Sequence, residues 1–408
     1  MKVVPFVTVA LSGEATKMSQ TIVLTGGGSG GHITPLLAVA TELKILSPGC
    51  KIIYIGQTGD KLGDIPAKHP SIDDTYTIRA GKLRRYHGEG IMQIFDIPTT
   101  LKNIRDVFYV LIGIWQSRKL LKRLKPSVIF IKGGFVGVPV GLAAGNLKIP
   151  YITHDSDAIP GLANKIVSGK AVKHAVALPA NLYDYPAAKT VSTGIPLQAD
   201  FKPVNQSLKN KYRSDLKIKE SNRVLFVIGG GLGSQRVNSA VVDAVPHLLA
   251  EFQDLRVVHA VGRRHKQAVE ASYAKKIPQS EQGRVVVRGY IEDVYRYSGA
   301  ADLVITRAGA TNLAEFATQG RACIVIPSPF LAGGHQLKNA QYLEDQKAAV
   351  VIDETELVAD SNRLAKQVSD LLNSQERRNE LAKNLSSFAK PNATNDLAQM
   401  ILKEVNIS

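Results

Sequence analysis

Residues 25–35 read TGGGSGGHITP and place five glycines and one imidazole directly after the apolar run TIVL. Glycine permits positive φ and close approach of a ligand to the backbone. A helix that starts in such a turn offers unpaired N–H groups to an anion. Gly27, Gly28, Gly30 and Gly31, with the hydroxyls of Ser29 and Thr34, therefore form a candidate phosphate loop. His32 closes it. An imidazole titrates near neutrality, so His32 either takes a proton from a bound hydroxyl or caps the following helix. The residues alone favour neither. A second loop, IGGGLGSQ, repeats the chemistry with Gly229, Gly230, Gly231 and Gly233. Two anion-binding helix starts facing one cleft suit a diphosphate; the plainer reading is a pair of tight strand-to-helix turns.

Two further segments carry polar groups at helix starts. In ATNLAE (Ala310, Thr311, Asn312, Leu313, Ala314, Glu315), Thr311 or Asn312 can cap. Glu315 either complements the helix dipole or accepts two hydroxyls of a ribose. In GGHQLKNAQYL, His335, Gln336 and Asn339 recur at helical spacing after a glycine turn. Gly26, Gly28 and Gly31 also fit G-x-G-x-x-G, the dinucleotide pattern. That pattern wants an acid at the end of the second strand, where YIGQTGD has Gly56 and Gln57, with Asp60 only later. This counts against a nicotinamide cofactor.

The elements that must hold these loops are short continuous Val/Ile runs. TIVLTG, KIIYIG, SVIFIKGG and PYITHD occupy the first half; RVLFVIGGG, LRVVHAVG, RVVVRGY, DLVITRAG and ACIVIPSP the second. Continuous rather than alternating apolar residues mark strands buried on both faces. Amphipathic stretches such as PLLAVATELKIL and VNSAVVDAVPHLLAEF follow the glycine turns, so the fold class is α/β with parallel, doubly wound sheets. Each half opens as strand, glycine turn, helix. The polar stretch STGIPLQADFKPVNQSLKNKYRSDLKIKESN between them reads as a linker, with the boundary near residue 196.

With 408 residues, 44% hydrophobic and 21% charged, the chain has material for about two domains and two large cores. Cys50 and Cys323 are its only cysteines, which excludes a disulfide framework and fits a reducing compartment. The net charge of +16 lies mostly in residues 1–196, where 23 Lys+Arg face 12 Asp+Glu. Such an excess calls for an anionic partner: nucleic acid, acidic lipid or a phosphorylated substrate. Residues 79–132 hold 12 basic and 3 acidic residues, among them Arg84, Arg85, Arg118, Lys119, Lys122, Arg123 and Lys125, interleaved with VFYVLIGIW. That run is too short to span a bilayer. It reads either as a core helix with a solvated basic face or as a lipid-binding amphipathic surface. No nucleic-acid motif accompanies the charge. The N-terminal MKVVPFVTVALSGEATKM is a poor secretory signal, broken by Pro5 and Thr8. Met18 begins a neater first strand, so residues 1–17 are expected to be a leader outside the native fold.

Residues 21–43, FIKGGFVGVPVGLAAGNLKIPYITHDSDAIPGLANKI, IGGGLGSQRVN, GYIEDVYRYSGAADLVITRAGATNLAEFATQG and HQLKNAQYL together resemble the MurG family of N-acetylglucosaminyltransferases, in order from about residue 18 to the C-terminus. The resemblance implies a GT-B fold: two Rossmann-like domains facing a cleft, residues 18–196 for acceptor and membrane and 197–385 for the UDP-sugar. Residues 386–408 would form a C-terminal helix packing back on the N-terminal domain. It implies inverting transfer of GlcNAc from UDP-GlcNAc to the C4 hydroxyl of MurNAc in undecaprenyl-pyrophosphoryl-MurNAc-pentapeptide, the lipid-linked peptidoglycan precursor. No metal would be required, and the enzyme would sit peripherally on the cytoplasmic face of the bacterial membrane, against anionic lipid.

Carried over residue by residue, Ser29, Gly30 and Gly31 would border the donor sugar. Gly27, Gly28, His32 and Thr34 would form the acceptor loop, with His32 the base. The backbone of Ile291 would read the uracil, Ala310 to Glu315 the nucleotide with Glu315 on the ribose, and Gln336 the GlcNAc hydroxyls, supported by Asn339. Three positions depart from the family pattern: Asp157 for an asparagine, Gln198 for an arginine and Gly231 for a serine, all on the donor side. Competing readings are a glycolipid synthase of the same fold, a UDP-GlcNAc 2-epimerase and a non-catalytic nucleotide-sugar subunit.

Overall fold

Strands β1 (Thr21–Thr25), β2 (Lys51–Gln57), β3 (Asp74–Ile78), β4 (Val128–Ile131), β5 (Tyr151–Asp155), β6 (Lys173–Val176) and β7 (Thr190–Ser192) form one sheet in the order β3-β2-β1-β4-β5-β6-β7. A second sheet has the order β10-β9-β8-β11-β12-β13. Its strands are β8 (Arg223–Ile228), β9 (Leu255–Ala260), β10 (Val285–Arg288), β11 (Leu303–Thr306), β12 (Cys323–Val325) and β13 (Val350–Val351). Every pairing is parallel. These are two Rossmann-like doubly wound sheets, as the uninterrupted Val/Ile runs require: β4 and β11 are buried along their whole length, with helices on both faces. This computed structural model describes residues 20–28, 30–60, 62–82, 97–330, 332–359 and 362–407. Ser29, Arg84, Arg85 and the 1–17 leader lie outside the described residues.

The polar segment expected to be a linker contains a helix, Gln206–Asp215, capped by Asn205, whose side chain accepts from Leu208 N–H at 2.9 Å. Tertiary pairing overrides its polarity. Tyr212 is buried, and the buried guanidinium of Arg213 meets Asp302 at 2.7 Å, with Lys209 on the same carboxylate at 2.6 Å.

The chain crosses between the sheets twice. After the second domain, the helix Ala393–Ile407 returns to the first. It seats Leu397, Ala398, Ile401 and Val405 in one cluster with Ile22, Leu24, Leu36 and Val39. Burial of each large aliphatic side chain there contributes roughly 1.5–3 kcal/mol. Asn395 Nδ2 donates to Glu42 at 2.8 Å, and Thr394 Oγ1 brackets the backbone of Leu197, accepting from its N–H and donating to its carbonyl, both at 3.0 Å.

The helix Ile97–Leu124 carries an unusual surface. Leu101, Ile104, Phe108, Leu111 and Trp115 recur every three or four residues and face outward, Leu101 62% exposed, Phe108 61% and Trp115 65%. Exposed Lys102, Arg105, Arg118, Lys119, Lys122 and Arg123 flank the stripe. The side that faces the protein is close-packed instead: a side chain at Gly113 would lie 2.0 Å from the Arg79 carbonyl. Among the described residues no helix is long and apolar enough to cross a membrane.

Candidate active site

In each sheet the strand order reverses next to the first strand: β1 lies between β2 and β4, and β8 between β9 and β11. The loops leaving those strands diverge and open a crevice, which is where ligands bind in this architecture. Both glycine loops, the turn after β4 and the turn after β11 therefore face the same cleft. An apolar cavity of about 70 Å³ lies at its back, between the crossovers, lined by residues including Ser156, Ile195, Leu197, Leu313 and Phe388.

The first loop folds tightly. Tyr54 OH donates to Gly26 O at 2.5 Å, and Gly28, at φ +81°, leaves no room for a side chain because a Cβ would lie 2.5 Å from the Phe135 ring. His32 enters the helix Gly30–Leu46 with Nδ1 3.1 Å from the Gly27 carbonyl. A carbonyl only accepts, so Nδ1 carries the proton and Nε2 keeps its lone pair. Gly134 makes the seat: a Cβ there would stand 2.7 Å from Gly27 O and 3.1 Å from His32 Nδ1. Burial, and then the Lys132 ammonium, push the His32 imidazole down to about 4, partly opposed by the Gly27 bond and Asp157. The ring is neutral at pH 7.

Lys132 follows β4 inside the protein, 2% exposed. Its ammonium donates to Ser156 Oγ at 2.5 Å, and burial pushes it down to about 8 against the favourable fields of Asp157 and Asp155. Asp155 is itself engaged by Gly161 N–H at 2.9 Å and Tyr185 OH at 2.8 Å.

From the second domain, the helix Ala310–Gln319 points its N-terminus at the first loop. Neither Thr311 nor Asn312 caps it. The N-cap is Gly309, and Thr311 Oγ1 instead donates across the cleft to Gly31 O at 3.4 Å. Thr34 likewise turns back on its own helix, donating to Gly30 O at 3.1 Å. Glu315 lies half-buried one turn in, and burial pushes its carboxyl up to about 8. Leu313 is buried and borders the cavity together with Ala310 and Ala314. Ile291 is buried after Tyr290, over whose ring Arg263 stacks at 4.7 Å.

Gln336 Oε1 accepts from Ser328 N–H at 2.9 Å, which leaves its amide NH₂ for a ligand. Gly231 is exposed, with open space at its Cα. Behind that loop Ser234 caps the helix Gln235–Glu251 and takes a bond from Arg307 at 2.6 Å; Arg307 also pairs with buried Glu354 at 2.9 Å. Gln198 lies in the crossover, and its side chain makes no hydrogen bond among the described residues. The structure thus brings together the first loop, His32, Asp157, Thr311, His335 and Asn339, with Gln336 next in the same helix and Gln198 next to Leu197 of the cavity wall. Lys132, Ser156 and Arg307 were missed in the sequence, although a lysine closing the apolar run VIFI before two glycines was a visible signal.

Asp157 joins the domains. Its Oδ1 accepts from Asn339 Nδ2 at 2.8 Å and its Oδ2 lies 3.6 Å from His335 Nδ1. Asn339 Oδ1 in turn accepts from Ala158 N–H at 2.8 Å, and its Nδ2 also reaches Ala308 O at 3.0 Å. Asn339→Ala is expected to lower stability by about 1–3 kcal/mol, since the part-buried bonds to Asp157 and Ala158 and the buried one to Ala308 are lost together. An unchanged urea midpoint would refute this.

The two halves match glycosyltransferase family 28 domains, the N-terminal domain over residues 22–176 and the C-terminal domain over 224–397. Two doubly wound domains with glycine-rich turns on one cleft thus define a GT-B glycosyltransferase. A protein of Clostridium perfringens, 35% identical over 95% of this chain and 99% of its own length, is a UDP-N-acetylglucosamine--N-acetylmuramyl-(pentapeptide) pyrophosphoryl-undecaprenol N-acetylglucosamine transferase. One of Natranaerobius thermophilus, 31% identical over 93% of this chain and 98% of its own, carries the same description. The crystal structure of Acinetobacter baumannii MurG superposes with a TM-score of 0.68 at 25% identity, covering 94% of this chain and 99% of that one. The chain belongs to this MurG family of N-acetylglucosaminyltransferases. A UDP-GlcNAc 2-epimerase of Neisseria meningitidis, at 12% identity and TM-score 0.60, shares the fold alone.

Proposed function

We propose that the chain transfers GlcNAc from UDP-GlcNAc to the C4 hydroxyl of MurNAc in undecaprenyl-pyrophosphoryl-MurNAc-pentapeptide, with inversion at C1. The observation that carries this reading is His32. Its ring is fixed through Nδ1 on the Gly27 carbonyl of the glycine loop, which makes Nε2 the basic nitrogen. The acceptor O–H proton passes to Nε2 as the C4 oxygen bonds to C1, the C1–O bond to the diphosphate breaks, and UDP leaves with the electron pair. An imidazole titrating at about 4 in the free protein is a poor base. The negative charge of the substrates raises it as they enter. Helix starts at both glycine loops would stabilise the departing diphosphate without a metal.

Labelled UDP-GlcNAc, incubated with and without the lipid-linked acceptor, tests the reading. UDP release only with acceptor supports it; UDP-ManNAc formed without acceptor would sink it.

Glu315 in this reading accepts the two ribose hydroxyls, which it does best as a carboxylate. Because burial raises it to about 8, the carboxylate fraction grows as pH rises through that value. UDP affinity is therefore expected to strengthen between pH 6.5 and 9, with proton release that depends on Glu315. Glu315→Gln should weaken UDP about 10–100-fold and flatten that dependence. Calorimetry in two buffers of different ionisation enthalpy measures both.

The enzyme would act from the cytoplasmic leaflet. The apolar stripe and basic flanks of the helix Ile97–Leu124 have the composition that inserts into an anionic lipid surface. Nucleic acid is not a partner in this reading.

A further inference from the structure

Lys132 sits where a charge is costly. It is nearly inaccessible, and among the described residues its ammonium has a single hydrogen-bond partner, Ser156, and no carboxylate within salt-bridge distance. An apolar side chain of similar length would fill the same space at lower cost. Its backbone turn is nevertheless built against the base: a Cβ on Gly26 would touch the Lys132 Cβ at 3.2 Å, and Gly134, two residues on, packs against the His32 ring. Among the described residues, the charged and titratable groups that act on His32 are Lys132 after β4, Asp157 after β5 and His335 from the opposite domain; Asp60 reaches only Gly28 of the same loop, at 3.5 Å. Of these, the carboxylate favours the imidazolium and Lys132 is the strongest opposing charge.

The proposed reaction brings two diphosphates into this cleft. Their negative charge stabilises an imidazolium, and a base protonated before the hydroxyl arrives cannot accept its proton. We propose that Lys132 is a positioning residue, a fixed buried ammonium tethered by Ser156 that keeps His32 in its unprotonated form while anionic substrates fill the cleft. This rests on His32 being the base. Lys132 acts through that ring and is too deeply buried to hold either substrate itself.

The test compares wild type, Lys132→Met, Lys132→Arg, Ser156→Ala and His32→Gln in two measurements. In the first, the His32 ring is titrated by NMR, assigned by its loss in His32→Gln, with and without UDP. Lys132→Met should raise its midpoint in both conditions, Ser156→Ala should raise it less, and Lys132→Arg should restore it. In the second, the acid limb of kcat against pH should move upward in Lys132→Met, lowering kcat about tenfold on the acid side. The two profiles should converge above about pH 8, where burial lets Lys132 lose its own proton. KM for UDP-GlcNAc should stay within about twofold, and the melting temperature should not fall, because methionine replaces an expensive buried charge.

A uniform loss of kcat with an unmoved limb, an unmoved NMR midpoint, or a raised KM at an unmoved limb overturns the proposal. If His32→Gln keeps the acid limb, the base assignment fails and this inference with it. If that limb disappears in His32→Gln but stays put in Lys132→Met, only the role of Lys132 fails.

Discussion

Replacing His32 by glutamine is expected to lower kcat by about 10²–10⁴-fold while KM for UDP-GlcNAc changes by less than about threefold. The glutamine amide can still donate to the Gly27 carbonyl, so the loop keeps its anchor. What is lost is the lone pair on Nε2. The donor contacts proposed at Glu315 and Gln336 lie on the other domain and are untouched, so ground-state binding of the nucleotide should survive. Steady-state kinetics with saturating acceptor separates the two parameters. Equal losses in kcat and donor affinity would mean that His32 orients the sugar rather than accepts a proton.

Changing both Phe108 and Trp115 to serine is expected to weaken partition onto anionic vesicles by about 10²-fold or more. Each ring, largely exposed in the free protein, would contribute roughly 1.5–3 kcal/mol on entering the lipid interface. Cosedimentation with vesicles containing anionic lipid measures the loss. Wild-type binding should also fall as salt rises, since Lys102, Arg118, Lys119 and Lys122 supply the electrostatic part. Turnover on a detergent-solubilised acceptor should be nearly unchanged in the variant, whereas turnover on vesicle-embedded acceptor should fall with binding. Equal partition of wild type and variant would remove the helix from the membrane reading.

The two sheets are legible because buried parallel strands write themselves as unbroken Val/Ile runs, and the cleft because the first run of each half ends in glycines. Pairings distant along the chain were not. The helix Gln206–Asp215 looks like linker until Asp302, far along the chain, arrives beside Arg213. Thr311 reads as a cap, but its hydroxyl finds Gly31 in the other domain. The burial of Lys132 is written only in part, in the apolar run VIFI that it closes, because Ser156 and Asp157, which define its surroundings, come from the neighbouring strand's end. The helix Ile97–Leu124 fits a core or a lipid surface equally by periodicity. Only its place on the outside of the first sheet separates the two. Asp157 was marked for a donor sugar and is found holding Asn339.

The return of the helix Ala393–Ile407 to the first sheet has a consequence for synthesis. Strands β1 to β7 leave the ribosome early, yet the face that receives Leu397, Ile401 and Val405 stays uncovered until residues 393–407 emerge, after the whole second sheet. The half of the enzyme made first is the half finished last, and its apolar flank must be shielded for the whole time the second domain is being translated.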